Sequence, residues 1–389
     1  MLDVTQVMAG PYCAMVLCDM GARVIKIEPP DGDSTRAMAG SAGRESAAFN
    51  AVNRGKLGVV LDLQKPEGRD ALRRLARTAD VFIENYRPGV MARLGLDYDA
   101  LAAENPRLVY ASISGYGQTG PSASKGGFDL VAQGESGIMS VTGEPDRPPV
   151  KAGVPLTDLG AGLFALSAIL AAVHWRSTSG RGQYIDTSLL EAGIALSVWE
   201  ATEFFSGAGL PARLGSAHRM SAPYQAFRCA DGFITVGAAN DRTFARLAAL
   251  LGHHEWLEDA RFSTDAARVG HRAGLADLIE RITAGGTCAD WLQRLDAAGI
   301  PCGPIHDYAQ VFADPQVVER EMAVEVEHPV LGHLRTLGTP VKMSATPLNV
   351  HRRAPLLGEH TVQVLSAAGF DDDEIGELRH AGAISARDR

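Results

Sequence analysis

The stretch Lys151-Ala-Gly-Val-Pro-Leu-Thr-Asp158-Leu-Gly-Ala-Gly-Leu sets one carboxylate, Asp158, at the mouth of a long apolar run with glycines on both sides. Two chemistries suit that placement. A carboxylate at a helix start can cap it, accepting a hydrogen bond from an N–H that has no partner inside the helix, and Thr157 can do the same. Alternatively, small neighbours let a bulky substrate approach the backbone, and the carboxylate acts as a nucleophile. An aspartate at its ordinary pKa is already ionised at neutral pH and needs no activating base for that task. From Leu159 to Val173 no charged residue occurs, and polarity returns at His174-Trp-Arg176. That run is too short for a bilayer and reads as a helix buried in a core.

Other motifs are weaker. Gly115-Tyr-Gly117-Gln-Thr-Gly120 matches G-x-G-x-x-G letter for letter. A dinucleotide site needs those glycines to open a helix, with the pyrophosphate on its N-terminus. Here Pro121-Ser-Ala-Ser-Lys-Gly-Gly127 follows, which reads as a loop, so a glycine-rich wall near a site is expected instead. His253-His-Glu255 lacks the second histidine of a zinc helix, and both histidines are read as surface residues. There is no G-x-S-x-G elbow and no Walker loop. The acidic run Asp371-Asp-Asp-Glu374 suits the first turn of a last helix.

The elements that must position these residues follow from periodicity. Gly21–Glu28, Lys56–Asp62, Asp80–Glu84 and Arg107–Ser114 are apolar runs of strand length, separated by helical stretches such as the one that Pro66 opens. Met1-Leu-Asp-Val-Thr also looks like an interior strand, so the chain is expected to begin inside its first element. Alternating strands and helices imply a doubly wound parallel sheet of the α/β class. Ligands then sit beyond the carboxyl ends of strands, which singles out the loops after Asp62, Glu84 and Ser114. A short strand Tyr184–Ser188 and one helix over Leu189–Phe205 follow the apolar run. Gly207–Pro223, rich in small residues and proline, reads as a linker into a smaller domain. That domain opens with a strand pair around Ala230-Asp-Gly and ends at the punctuation Gly299-Ile-Pro-Cys-Gly-Pro304.

With 389 residues, 46% hydrophobic and 21% charged, the chain can hold two domains and a sizeable core. A net charge of −9 argues against nucleic acid or an anionic membrane as partner. The five cysteines form neither a metal-spaced cluster nor a secreted framework, and no signal peptide is recognisable, so a cytoplasmic location and no resident metal are expected.

Several stretches, taken together, resemble the class III CoA-transferase family, which includes carnitine, formyl-CoA and dicarboxylate CoA-transferases and the 2-methylacyl-CoA racemases. They are Val7-Met-Ala-Gly-Pro11, Gly21–Glu28, Asn53-Arg-Gly-Lys56, Glu84-Asn-Tyr-Arg-Pro-Gly89, Gly115–Pro121, the Asp158 stretch, Gly180-Arg-Gly-Gln183, Gly299–Pro304 and Pro355-Leu-Leu-Gly-Glu-His-Thr361. They span nearly the whole chain in family order. The resemblance implies a large CoA-binding domain from residues 1–205 and 306–389, a linker and small α+β domain at 206–305, and two subunits interlocked as rings.

It further implies that Asp158 is the nucleophile and that a CoA thioester is a substrate, with no permanently bound cofactor. CoA contacts would come from Val7, Met8 and Ala9 at the thioester end, and from Asn85, Tyr86, Arg93 and Leu94 nearer the nucleotide. Racemases of the family carry a histidine where this chain has Phe128, which cannot move a proton. Phe128 is then a wall residue, and transferase is favoured over racemase or epimerase. Met8, where formyl-CoA transferases have glutamine, and Pro29, where some members have arginine, weaken a formyl-CoA or oxalate reading. Lys26, Arg36 and Arg87 are candidates for phosphate. For the remote carboxylate of a dicarboxylic acceptor the candidates are His218 and Arg219, with Arg44 and Arg54 behind them. The expected partners are an acyl-CoA and a small carboxylic acid.

Overall fold

The computed structural model describes residues 1–38, 46–350 and 352–385. In chain order, β1 (Leu2–Asp3), α1 (Ala9–Asp19), β2 (Ile25–Glu28), α2 (Ala47–Asn53), β3 (Leu57–Val60), α3 (Pro66–Ala76), β4 (Val81–Glu84), α4 (Val90–Leu94), α5 (Tyr98–Glu104) and β5 (Val109–Ser114) come first. Next are α6 (Asp129–Glu135), α7 (Ile138–Val141), α8 (Leu156–Ser179), β6 (Tyr184–Ser188), α9 (Leu189–Leu196) and α10 (Val198–Phe205). Strands β1 to β6 form one wholly parallel sheet in the order β3-β2-β1-β4-β5-β6.

Alternation along the strands assigns the sheet's two faces. Phe82 and Tyr110 enter one core with Leu72 and Leu75 of α3, while Val81, Ile83, Val109, Ala111 and Ile113 enter another with α1 and α8. Both faces are therefore covered, as the apolar runs require. The strand order reverses between β1 and β4, and the chain ends that leave those strands open a crevice at their carboxyl side.

Two compact units are present. The first comprises Met1–Ile138, Lys151–Phe205 and Pro315–Arg389; the second comprises Met139–Val150 and Ser206–Asp314. In the second, β7 (Tyr224–Arg228) and β8 (Phe233–Gly237) pair antiparallel as the turn at Ala230-Asp-Gly predicts. Helices α11 (Asp241–Leu251), α12 (Asp265–Gly270), α13 (Arg272–Thr283) and α14 (Cys288–Ala297) follow, then β9 (Cys302–Pro304) and α15 (Tyr308–Ala313). The third strand, β9, pairs with β8 inside a segment whose Gly and Pro read only as punctuation. Phe227, Ile234, Phe244, Trp256 and Trp291 make this unit's own core. The return segment adds α16 (Pro315–Glu319), the hairpin β10 (Ala323–His328) and β11 (Gly332–Leu337), then α17 (Thr361–Ala367) and α18 (Asp372–His380). Asp371 caps α18 in a reciprocal box with Glu374, the role the acidic run suggested.

Two helices differ from expectation. Leu189–Phe205 is two helices, broken at Ser197, whose hydroxyl donates to Gly193 O (3.1 Å). And α8 runs 24 residues, past His174 and Arg176 to a left-handed cap at Gly180. The charge at Arg176 does not end it, because that guanidinium turns inward to Asp80 (2.9 Å) and to two backbone carbonyls. By length and composition α8 is long and apolar enough to cross a membrane; 44% of its most apolar window is buried inside the chain.

Candidate active site

At the point where the strand order reverses lies a cavity of about 320 Å³, wholly within the first unit. Its lining comes from the end of β1 (Gln6 to Ala9), the end of β4 (Asn85 to Pro88), the end of β5 (Ile113 to Gly115), the loop Lys125–Phe128, and Asp158. The loops after Glu84 and Ser114 thus contribute as expected, whereas the loop after Asp62 does not and the one after Asp3 does. The glycine motif forms part of the wall. Gly115 and Gly127 meet backbone to backbone: a Cβ on Gly127 would lie 2.4 Å from the Gly115 Cα. No helix follows Gly120, so the motif offers no pyrophosphate seat.

The β1 end of the cavity is built under strain. Val7 has φ 71°, one of two non-glycine residues with positive φ among the described residues. For a β-branched side chain that conformation costs about 1–3 kcal/mol and must be imposed by its surroundings. Asn85 ties the segment to β4: its Oδ1 accepts from Gln6 N (2.8 Å) and its Nδ2 donates to Gln6 O (2.7 Å). Val7 N donates to Asp33 Oδ1 (3.4 Å), and Lys26 Nζ donates to Thr5 O and to Asp33 Oδ2 (2.8 Å). Beneath them Lys56 Nζ bonds Asp3 Oδ2 (2.8 Å), Asn53 Oδ1 (2.8 Å) and Pro11 O (2.9 Å). Lys26, Lys56 and Asp3 are fully buried. Burial favours an uncharged Lys26, but Asp3 and Asp33 outweigh it and hold the ammonium above its ordinary range.

Across the cavity, α8 begins at Leu156 after Pro155, with no side chain capping from the N-cap position. The cap comes instead from α6: Asp129 Oδ1 accepts from Thr157 N (3.0 Å) and from Thr157 Oγ1 (2.8 Å). Asp158 is therefore not the cap. It is half-buried, and burial, followed by the charge of Asp129, pushes its pKa up to about 7. That departs from an aspartate at its ordinary value. Gly162 lets α8 approach the start of α1, since a Cβ there would lie 2.7 Å from Ala9 O.

Of the residues singled out from the sequence, the cavity gathers Val7, Met8, Ala9, Asn85, Tyr86, Arg87, Phe128 and Asp158. Arg93 and Leu94 do not line it; they lie on α4, where Leu94 packs against the first core. Phe128 is 71% exposed, a wall residue and not a core one. Lys26, expected as a phosphate ligand, is wholly enclosed in its ion pair and has no free face. Arg36 is bound to Glu28 (2.7 Å) and lies over the Phe49 ring (3.5 Å). Arg54 is spent on Asp19 (2.6 Å) and the Leu337 carbonyl, at 5% side-chain exposure, so it is closed to a substrate carboxylate. Arg44 lies outside the described residues. His218 and Arg219 belong to the second unit, where His218 accepts from Met220 N (3.2 Å) and sits edge-on to Tyr224, and Arg219 donates to Ala212 O (3.0 Å).

Sequence reasoning missed Gln6, Lys125 and Asp129 at this site, and Glu84 beside it. Glu84 accepts from Ser112 Oγ and from Tyr86 N (2.7 Å), and burial pushes its pKa up to about 7. A carboxylate closing an otherwise apolar strand was the available signal for Glu84.

Residues 1–361 match the model of CoA-transferase family III. The chain is 42% identical over 373 residues to a succinate–glutarate CoA-transferase of Agrobacterium fabrum, covering 94% of this chain and 93% of that protein. It is 38% identical over 386 residues to the human succinyl-CoA:glutarate CoA-transferase, covering 98% and 88%. A crystal structure of a CAIB/BAIF family protein from Brucella suis superposes with a TM-score of 0.83 at 40% identity, covering 94% of this chain and 97% of that one. The chain belongs to CoA-transferase family III and is an enzyme of that class.

Proposed function

We propose that this protein is an acyl-CoA:carboxylate CoA-transferase moving CoA between small dicarboxylic acids, with Asp158 as the covalent carrier. The observation that carries the proposal is a carboxyl group without a hydrogen-bonding role in its helix, half-buried in the cavity where β1, β4 and β5 end. Relatives that act on succinyl-CoA and glutarate support a dicarboxylic pair. So does a likeness to succinate–hydroxymethylglutarate CoA-transferases in Gly215-Ser-Ala-His218 and Pro223-Tyr-Gln-Ala-Phe227.

The chemistry balances as two exchanges. The Asp158 carboxylate adds to the thioester carbonyl; the C–S bond breaks, leaving CoA thiolate and a mixed anhydride of Asp158 with the donor acyl group. The thiolate attacks the Asp158 carbonyl, expelling the donor acid as carboxylate and leaving an aspartyl-CoA thioester. The acceptor carboxylate then attacks that thioester, and the same two steps in reverse deliver CoA to the acceptor and restore Asp158. One thioester replaces another, so the protein's task is orientation and the exclusion of water from the anhydride. The N-terminus of α1, with Val7, Met8 and Ala9 in the lining, offers N–H groups to the charge that develops on the thioester oxygen. Asn85, Tyr86, Arg87 and Lys125 bind the remainder of CoA, with Arg93 and Leu94 toward the nucleotide, and Phe128 packs as an inert wall.

The unit that holds both chain ends is the CoA-binding domain, and the working form is an interlocked homodimer in the cytoplasm. Exposed Phe164, Trp175, Trp199 and Phe205 on α8 and α10 support that assembly. The decisive experiment supplies succinyl-CoA and hydroxylamine. A hydroxamate at Asp158 is expected in the parent protein and none in Asp158→Ala. Deuterium entering the α-carbon of a 2-methylacyl-CoA in heavy water, with no acceptor acid present, would instead favour the racemase chemistry.

A further inference from the structure

Val7 holds a conformation that its own side chain disfavours, and it does so beside the carboxyl group of Asp158 in one cavity. Nothing local explains this. Valine is the wrong residue for a left-handed turn, and glycine would have been free to adopt it. The constraint comes from below. Asp33 divides its carboxylate: Oδ1 accepts from Val7 N (3.4 Å), Thr35 N (2.9 Å) and Thr35 Oγ1 (2.8 Å), while Oδ2 takes the Lys26 ammonium at 2.8 Å. The same ammonium holds the Thr5 carbonyl, two residues before Val7. Gly10 completes the fit, because a Cβ there would lie 2.3 Å from the Thr5 side chain. The segment is thus held at Thr5 and at Val7 by one ion pair that no solvent reaches.

We infer that Asp33 and Lys26 are positioning residues for the transfer reaction: together they impose the left-handed turn at Val7 and so fix where the opening N–H groups of α1 stand relative to the thioester. The inference rests on the reading of Asp158 as the acylated group. A buried ion pair adds little net stability, but separating its partners strands a charge, so arrangements that part Lys26 from Asp33 are disfavoured. Here the arrangement it selects is one the backbone would otherwise leave.

A substitution cycle tests this through a sign reversal. Asp33→Asn removes the charge that Lys26 needs while preserving shape. Turnover of succinyl-CoA with a dicarboxylic acceptor should fall by about tenfold or more, mainly in kcat. Val7→Gly in the parent removes a wall side chain and gives no gain. In the Asp33→Asn background the same change should raise kcat at least about threefold, because glycine adopts positive φ without help. Parent-like turnover in Asp33→Asn, or no gain from glycine in that background, overturns the inference. Crystal structures give an answer independent of activity: Val7 should relax to negative φ in Asp33→Asn, and a Val7 that stays near its present φ overturns the clamp. Were the parent itself to show no transfer, the proposed function would fail while this structural comparison still decided the clamp. Should Asp33→Asn not fold, Val7→Pro leaves the ion pair in place and forbids the turn. A melting temperature close to the parent's with a loss of about a hundredfold in turnover is then expected, and parent-like turnover refutes the idea.

Discussion

Asp33 and Asp158 are both carboxylates withdrawn from solvent at the edge of one crevice, and they are pushed in opposite directions. Burial alone would raise both. At Asp33 the Lys26 ammonium and the bonds from Thr35 outweigh it and hold the carboxyl below the usual range. At Asp158 burial is reinforced by the carboxylate of Asp129, and the pKa rises to about 7. A paired charge fixes geometry and stays inert; an unpaired one retains free energy that a reaction can release. The β1 end of the cavity is built from the first kind of group and the α8 end from the second.

The largest test of this contrast is Asp158→Ala, which should reduce transfer by about ten-thousandfold or more in steady-state assays while CoA still binds by calorimetry. Comparable activity in that variant would erase the distinction between the two ends. Next, Lys26→Met leaves the buried Asp33 carboxylate without its cation, while Asp3 keeps Lys56, and should cost about 3–5 kcal/mol in denaturant titrations. A loss near zero would show that the pairing is ornamental. A smaller and opposite change is expected at the other end. Folded Asp158 holds its proton to about pH 7, against about 3.9 in the unfolded chain, so its contribution to stability is full below about pH 4 and is lost as pH rises through 7. Asp158→Asn should therefore be more stable than the parent by roughly 1–2 kcal/mol at pH 8, after allowing for its partial exposure, and equal to it below about pH 4. Melts across that range would show it. The least effect belongs to Asp129→Asn, which keeps the bond from Thr157 N and removes one negative charge. The rise of kcat/KM with pH, which follows ionisation of Asp158, should move to lower pH, and an unmoved limb would leave burial as the sole cause.

How far all this was legible in the sequence varies with the range of the interaction. The parallel sheet was readable because Leu57–Val60 and Val81–Glu84 are near-continuous apolar runs, and such strands must be covered on both faces. Asp158 stood out because its neighbours are small and uncharged. Its capping partner did not, since Asp129 lies on another helix and only the fold brings it to Thr157. Lys26 carried a signal that could have been used: a lysine between two isoleucines in a strand buried on both faces must have a carboxylate partner, so phosphate was the weaker assignment. Arg54 misled for the same reason, its partner Asp19 being across a helix. The turn at Val7 could not have been foreseen, because local propensity argues against it and tertiary bonds decide it.

The order in which the molecule is made gives the chain's return to its first unit a cost. Strands β1 to β5 are complete by Ser114, yet Val364, Leu365, Ile375 and Leu378, which close one face of that sheet, come from α17 and α18 at the far end. At about 5–20 residues per second, a ribosome needs on the order of tens of seconds to supply them. Throughout that interval Leu61, Leu72 and Phe82 lie beneath an unfinished covering. A stop codon shortly before Thr361 would leave a polypeptide holding every residue assigned to chemistry and lacking the side chains that close this face of the sheet.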